Sequence, residues 1–445
     1  MSEWQKVKIG DLITQYKDIE QISATKEYKQ VTVSNTGEIR LRNMEKGSNI
    51  KAKTGMIVEK GTFIYSRLSV HNGAFGIIPD ELSGAIVTNE MPVFKFDDSK
   101  IIPDFFLYLL KTGDVQFQLK LLTKGVGRVR IKEKNFLNIE VLVPDIDTQR
   151  VLTGQILENN KKFIAFKAQN SLQRSHLALL RQQILQDAIS GKLTEGWRAE
   201  NPDTEPANKL LEQIKAEKAK LIAEKKIKKE KPLSKIVESE IPFELPVGWE
   251  WCRLGEITRL VTDGKHGDCN NDPNSGFYFL SAKDVQNGKL IYENARQILE
   301  NDFQEVHRRT DLEAGDICMV NTGATIGKMA IAEDTPLTPK TTFQKSVAVI
   351  KLIRSGILNK IAELALLSFT KNLLKTSKGS AINNLLLGDL KKMPFPLPPR
   401  AEQRAIVAKV ERLMGYVSQL EEKIAQNANS AETLMQAFLG EVFRK

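Results

Sequence analysis

Gly323, Gly327 and Lys328 are the part of this chain whose residue types and spacing come nearest to ligand chemistry. A glycine turn ending in lysine can offer backbone N–H groups and a cation to a phosphate. The spacing does not meet the requirement. A phosphate loop needs four residues between its glycines and a Ser or Thr after the lysine. Here Ala324, Thr325 and Ile326 intervene and Met329 follows. The stretch is expected to be a structural turn, with glycine supplying backbone freedom.

Other constellations fall short in the same way. Cys252, Cys269 and Cys318 form neither a CxxC pair nor a zinc spacing, and read as reduced thiols. His71, His176, His266 and His307 are scattered. No GxGxxG follows a strand, and HExxH and GxSxG do not occur. The Asp/Asn-Pro-Pro-Tyr/Phe tetrapeptide with which amino-methyltransferases hold a flipped base is missing, and no carboxylate cluster of a Mg²⁺ nuclease is recognisable. The chain is therefore expected to be non-catalytic on its own, with no metal site.

Binding fits the composition better. Lys and Arg number 65 against 55 Asp and Glu, a formal net charge of +10, which suits a polyanionic partner. Residues 205–235 hold ten lysines and five glutamates, half of that excess. Leu210, Leu211, Ile214, Leu221 and Ile222 make a short apolar stripe there, so the first half is predicted to be helical. The run Lys225–Lys231 reads as a solvated face or linker rather than a clamp. The segment Met1–Leu12 lacks an apolar signal core, and no uncharged apolar run of about eighteen residues occurs. A cytoplasmic protein with no membrane span is expected.

The elements that carry these residues occur twice. Trp4, Ile9, Gly10, Asp11 and Leu12 recur as Trp249, Leu254, Gly255, Glu256 and Ile257, an offset of 245 residues. Gly61, Gly73, Lys124, Pro144 with Gln149-Arg150, and Leu180 recur as Gly315, Gly327, Lys378, Pro398 with Gln403-Arg404, and Leu434, all at an offset of 254. One register kept over so many landmarks indicates a duplicated domain followed by a duplicated helix. Copy two therefore carries about nine extra residues near its start, read as lying around Asp263 to Gly276. Residues 1–145 and 245–398 show short β-rich runs broken by Gly and Pro, with apolar helices at Asp104–Leu110 and Leu358–Leu374, a mixed α/β pattern.

A heptad seam follows each copy. Ile406, Val410, Leu413, Val417, Leu420 and Ile424 step by four and three, and Asn427, Ala431, Leu434 and Phe438 continue the register. The matching positions of copy one are Leu152, Ile156, Asn159, Phe163, Phe166, Asn170, Gln173, Leu177, Leu180 and Ile184. Two separate amphipathic helices, each on its own domain, would also satisfy this pattern. Pairing with each other is preferred, because matching seams in one chain meet at high effective concentration.

Several stretches resemble the specificity subunits of type I restriction-modification systems, in which two target recognition domains alternate with two conserved helical regions. Leu245-Pro246, Gly248-Trp249, Trp251 and Gly255-Glu256-Ile257 look like the opening of that family's second recognition domain. Asp263-Gly264-Lys265-His266-Gly267 looks like its Gly-x-His loop, and Gly315-Asp316-Ile317 with Gly323 and Gly327-Lys328 is similar to its central strand pair. Pro396-Leu397-Pro398-Pro399 with Gln403-Arg404 and Ile406 resembles its proline-to-helix junction. Leu180, Ile184-Leu185, Ala188 and Ser190-Gly191-Lys192-Leu193 resemble the end of its central helix. Copy one departs in lacking a Gly-x-His loop near residue 20 and in having Pro144-Asp145 where copy two has a double proline.

The resemblance implies an α+β chain with two duplicated mixed α/β target recognition domains joined by two long helices in an antiparallel coiled coil. Its segments would be 1–148, a central helical region 149–194, a Lys-rich helix or linker 195–244, a second recognition domain 245–398, and a C-terminal helical region 399–445. It implies binding to double-stranded DNA at an asymmetric bipartite target, one half-site per domain. It also implies assembly with two modification (methyltransferase) subunits and with restriction (motor and nuclease) subunits. S-adenosylmethionine, ATP and Mg²⁺ would sit on those partners, and no cofactor on this chain. Candidate DNA contacts are Arg67, Lys124, Arg128 and Arg130 in copy one, and Lys265, His266, Lys283, Lys378 and Asn383 in copy two. Arg and Lys can donate to guanine and Asn can pair with adenine, but each could equally meet a phosphate. The alternatives are a stand-alone coiled-coil DNA-binding regulator and a coiled-coil scaffold that binds no DNA.

Overall fold

The computed structural model of the chain describes residues 4–123, 130–354, 356–376 and 384–443. It divides into two compact units, one of residues 1–171 with 425–445 and one of residues 172–424. Each unit holds one copy of the repeat and a stretch of both long helices.

The same frame is built in each copy. In copy one, Gln5–Lys8 pairs antiparallel with Glu140–Val143, which ties the beginning of the domain to its end. In copy two, Glu250–Arg253 pairs with Pro394–Leu397 in the same way. Beside this clasp lies a four-stranded sheet. Its order is Ile13–Tyr16, Val93–Phe96, Phe63–Tyr65, Phe75–Ile77 in copy one and Thr258–Asp263, Val347–Leu352, Ile317–Val320, Met329–Ile331 in copy two. The strands Phe63–Tyr65 and Ile317–Val320 are buried at every residue, which is why they read as unbroken apolar runs without alternation. The fillings differ. Copy one packs rings, with Tyr65 stacked on Phe136 at 4.4 Å and Phe63 edge-on to Phe106 at 5.1 Å. Copy two packs aliphatic side chains such as Ile317, Met319 and Ile350.

The segments inserted between the frame strands share one feature, a strand paired parallel with the short strand ahead of Val93–Phe96 or Val347–Leu352, and otherwise differ. Copy one inserts strands that complete a five-stranded sheet, in the order Ile19–Gln21, Thr54–Ile57, Ile86–Val87, Glu27–Val33, Ile39–Lys46. Copy two inserts Tyr278–Leu280, which pairs parallel with Thr341–Phe343, then a short hairpin and the helix Glu300–Thr310. Residues 264–277 of copy two carry no named strand, whereas copy one places Ile19–Gln21 within the shorter corresponding stretch 17–26.

The two long helices run Ile146–Ile189 and Arg400–Val442. Each leaves its sheet at a buried glutamine. The Gln149 amide accepts from the Ile102 N–H (2.9 Å) and donates to the Lys100 and Pro144 carbonyls (2.9 Å each). Gln403 accepts from the Leu358 N–H (2.9 Å) and donates to the Gly356 and Pro398 carbonyls (3.2 and 3.3 Å). Ile102 and Leu358 each precede the apolar helix of their copy, Pro103–Leu109 and Asn359–Thr376, so the same amide ties the start of the long helix to the start of the apolar helix in both copies.

The helices pair antiparallel. In one unit Lys167 meets Glu432 at 2.9 Å, and in the other Arg181 meets Glu421 at 3.0 and 2.8 Å. Leu177, Ile184, Ile406, Val410 and Val417 are buried in one cluster, with Leu413 and Ile424 half-buried against it. In the first unit Ile156 is buried and Leu152, Phe163 and Phe166 are half-buried. Leu180 and Leu420, which the spacing also puts on the seam, stand 44% and 47% exposed. Arg181 reaches across beside them, donating to Ser418 and Glu421.

The Lys-rich region is fastened to copy two over its first half. Its helix Ala207–Ala223 buries Ala207, Leu210, Leu211 and Ile214 in that copy's core, and Lys218 donates to the Gly255 and Thr258 carbonyls. The helix gives way at Lys225, whose φ is +56°.

Substituting Gln403 by Ala would leave one N–H and two carbonyls without a partner in a site closed to water. At about 1–3 kcal/mol for each orphaned group, a loss of about 3 kcal/mol or more is expected. Urea unfolding of the variant measures it, and a loss below about 1 kcal/mol would show that the clamp is dispensable.

Candidate nucleic-acid interface

Arg67 and Arg130 come together in copy one, but each is already paired. The Arg67 guanidinium is closed on Glu133 and only 23% exposed, and its backbone bonds to Glu90 and Ile131. Arg130 lies on the Glu90 carboxylate at 3.0 and 2.9 Å, half exposed. Both cations are held in a compensated cluster at the rim of the aromatic core. Lys124 and Arg128 lie outside the described residues.

In copy two, Lys265 and His266 sit on the loop that follows Thr258–Asp263, facing the helix Glu300–Thr310. Lys265 pairs with Glu305 at 3.0 Å, which raises its pKa, and its backbone is held by Phe343 and Lys345. His266 is 64% exposed and lies 3.4 Å from Asp263, whose other oxygen takes Arg309. Lys283 is exposed on the turn Ala282–Asp284 and makes no ion pair among the described residues. Lys378 and Asn383 lie outside the described residues. Three basic residues that sequence reasoning missed stand in these inserts. Arg309 is bound to Asp263, while Arg40 and Arg42 are exposed on the edge strand Ile39–Lys46. Their only sequence signal was the Arg-x-Arg spacing within a strand-like run.

The motifs that carry the family resemblance prove to be joints. Glu402, fully buried, accepts from Trp249 Nε1 (2.7 Å), Thr194 Oγ1 (2.6 Å) and Arg198 (2.6 Å). One carboxylate thus ties the start of the C-terminal helix to the end of the central helix and to the Trp that opens copy two. Gly191 turns the chain there at φ +76°, and a Cβ on it would meet Pro246 at 2.5 Å. In copy one the equivalent Trp4 packs on Phe105 and on Phe443 near the end of the C-terminal helix, each at 6.3 Å.

Arg253 is 2% exposed and pins the segment 234–240 over copy two. It donates to the Ser234 and Lys235 carbonyls and to both Glu240 oxygens, at 2.7 to 3.0 Å. The guanidinium holds the Glu240 carboxyl down at about 2. The three cysteines are buried and unpaired, and burial pushes the Cys252 and Cys318 thiols up. Among the described residues no group of three or more His, Cys, Asp or Glu is placed to hold a metal ion, and no helix is long and apolar enough to cross a membrane.

Comparison with known proteins agrees with this architecture. The family described as Type I restriction modification DNA specificity domain matches residues 1–173 and 246–430. The chain is 32% identical over 254 residues to the type I restriction enzyme EcoEI specificity subunit of Escherichia coli, covering 55% of this chain and 41% of that protein. It is 33% identical over 248 residues to the EcoAI specificity subunit of the same organism, covering 54% and 40%. The matched part therefore spans less than half the length of those relatives. Among solved structures, a chain from the type I R-M system superposes with a TM-score of 0.70 at 16% identity, over 99% of this chain and 97% of the other. The HsdS subunit from Thermoanaerobacter tengcongensis gives 0.58 at 15% identity, over 99% and 96%. These two likenesses concern the fold.

The Arg253–Glu240 contact makes a pH prediction. A carboxylate whose pKa is depressed on folding stabilises the fold above its unfolded value and loses that contribution as pH falls through the folded value. The segment 234–240 should stay protected at neutral pH and loosen between the ordinary value of 4.5 and about 2. Hydrogen exchange of this segment across that range measures it, and protection that is flat with pH in wild type and Glu240→Gln alike would remove the carboxylate from the account.

Proposed function

The chain belongs to the family of type I restriction modification DNA specificity domains, and from that premise we propose that it reads DNA sequence for a type I restriction-modification complex. Residues 1–148 and 245–398 each meet one half of a bipartite target. The observation that carries the reading is one frame built twice with two unlike inserts. A common frame presents each domain in the same way, while different inserts meet different base edges, so the two half-sites differ. The paired regions 149–194 and 399–445 separate the domains and dock the partners.

Those partners are two modification subunits and, where restriction occurs, motor and nuclease subunits. S-adenosylmethionine, ATP and Mg²⁺ bind to them, in the cytoplasm, and this chain performs no chemistry alone. Duplex DNA is favoured by the net charge of +10. Individual base contacts by Lys265, His266 and Lys283 belong to this proposal, as do those by Arg67 and Arg130, which must first leave Glu133 and Glu90.

Exchanging residues 1–148 for the matching domain of a relative should change one half-site of the methylated sequence and leave the other half and the spacer intact. Genome-wide methylation mapping reads this, and a change in both half-sites together would end the modular reading. The purified chain with S-adenosylmethionine should transfer no methyl group to DNA, whereas the assembled complex should.

A further inference from the structure

The strand Ile39–Lys46 is the free edge of the five-stranded sheet in copy one, paired on one side only, to Glu27–Val33. Arg40, Arg42 and Lys46 are exposed on it, and among the described residues none of their side chains makes an ion pair or hydrogen bond. The pairing shifts at Arg42. Gln30 stands opposite Asn43 and Val31 opposite Leu41, so Arg42 has no cross-strand partner. A bulge of this kind twists the strand and re-aims the side chain it carries.

The strand is anchored at both ends. At the turn that begins it, a Cβ on Gly73 of the frame would lie 2.5 Å from the Asn35 carbonyl oxygen. At the other end, a Cβ on Gly47 would collide with the Ser23 carbonyl. Only glycine lets the backbones approach so closely, and the strand is held against the domain as a rigid strip.

We infer that this edge strand is a DNA-backbone contact of copy one, with Arg40 and Arg42 on duplex phosphates. The inference rests on the DNA-reading role proposed above and adds a site to it. Arg67 and Arg130 are neutralised by Glu133 and Glu90, and moving them onto DNA means giving up those pairs. Arg40 and Arg42 give up no protein partner, and a planar guanidinium matches a phosphate with two parallel bonds. Residues fixed to a rigid strip suit positioning contacts, which set register and carry no sequence information. A free edge can also recruit a strand from another protein. Here the exposed cations and the bulge are features that block strand addition.

The test uses the full chain in complex with co-expressed modification subunits and fluorescent, sheared genomic duplex DNA, with binding followed across KCl concentration. The pair Arg40→Ala and Arg42→Ala should lower the slope of log affinity against log salt by about 1.8, at about 0.9 for each phosphate no longer neutralised. Arg40→Lys with Arg42→Lys should keep most of the slope. The methylated sequence should stay the same in both. If the Ala pair melts lower than wild type, Arg40→Gln with Arg42→Gln keeps an unbranched polar side chain without the charge and serves instead. An unchanged slope in a complex that still binds DNA overturns the inference. So does an altered half-site, which would mean base reading, and so does an unchanged slope with a changed oligomeric state on sedimentation, which would mean a strand partner. A wild-type complex that binds no duplex DNA would instead bring down the DNA-reading role itself.

Discussion

The buried amides of Gln149 and Gln403 each meet three backbone groups, two on the segment ahead of the apolar helix and one just ahead of the long helix. A side-chain amide has donors on one side and an acceptor on the other, so its orientation is fixed once all three partners are in place. The long helix that carries it is then fixed at its first turn. The clasp of the first and last strands lies beside this point, so the exit of the helix, the closure of the domain and the seat of the apolar helix are set together. An unmet partner in a closed site costs more than the bond gains, so the arrangement tolerates little drift.

Beyond that joint the two copies go separate ways. Their frames share strand order, while their inserts have different strands, helices and core chemistry. On the proposed reading, common frames with unlike inserts separate placement from recognition. The same division shows in the charges. Cations near the frame, such as Arg67, are absorbed by neighbouring carboxylates, and those at the edge of an insert, such as Arg40 and Arg42, are left to the solvent. Free charge, rather than the presence of Arg or Lys alone, distinguishes a surface prepared for a polyanion.

Glu402 makes a complementary joint at the other end of the central helix. A fully buried carboxylate needs strong donors, and it has an indole, a hydroxyl and a guanidinium. Arg253 plays the inverse part, a buried cation satisfied by carbonyls and the Glu240 carboxylate. Between them these groups turn residues 190–240 from a tether into a covering of copy two.

The duplication, the α+β class, the two long helices and the family resemblance were all legible in the residues, because periodicity and landmark spacing are local properties that the chain displays without folding. The proline-to-helix motif with Gln149 and Gln403 was visible as a repeat, although its role as a clamp was not. Three features were decided only in the tertiary structure. Whether Arg67, Arg130 or Lys265 is free depends on carboxylates 66, 40 and 40 residues distant in the chain. The inserts of copies one and two differ in strand pairing, which non-local contacts select. Leu180 and Leu420 keep the heptad spacing yet stay exposed, because Arg181 reaches across to Glu421 beside them. Sequence spacing determines which face of a helix or strand a residue takes, and only the folded neighbours determine what that face meets.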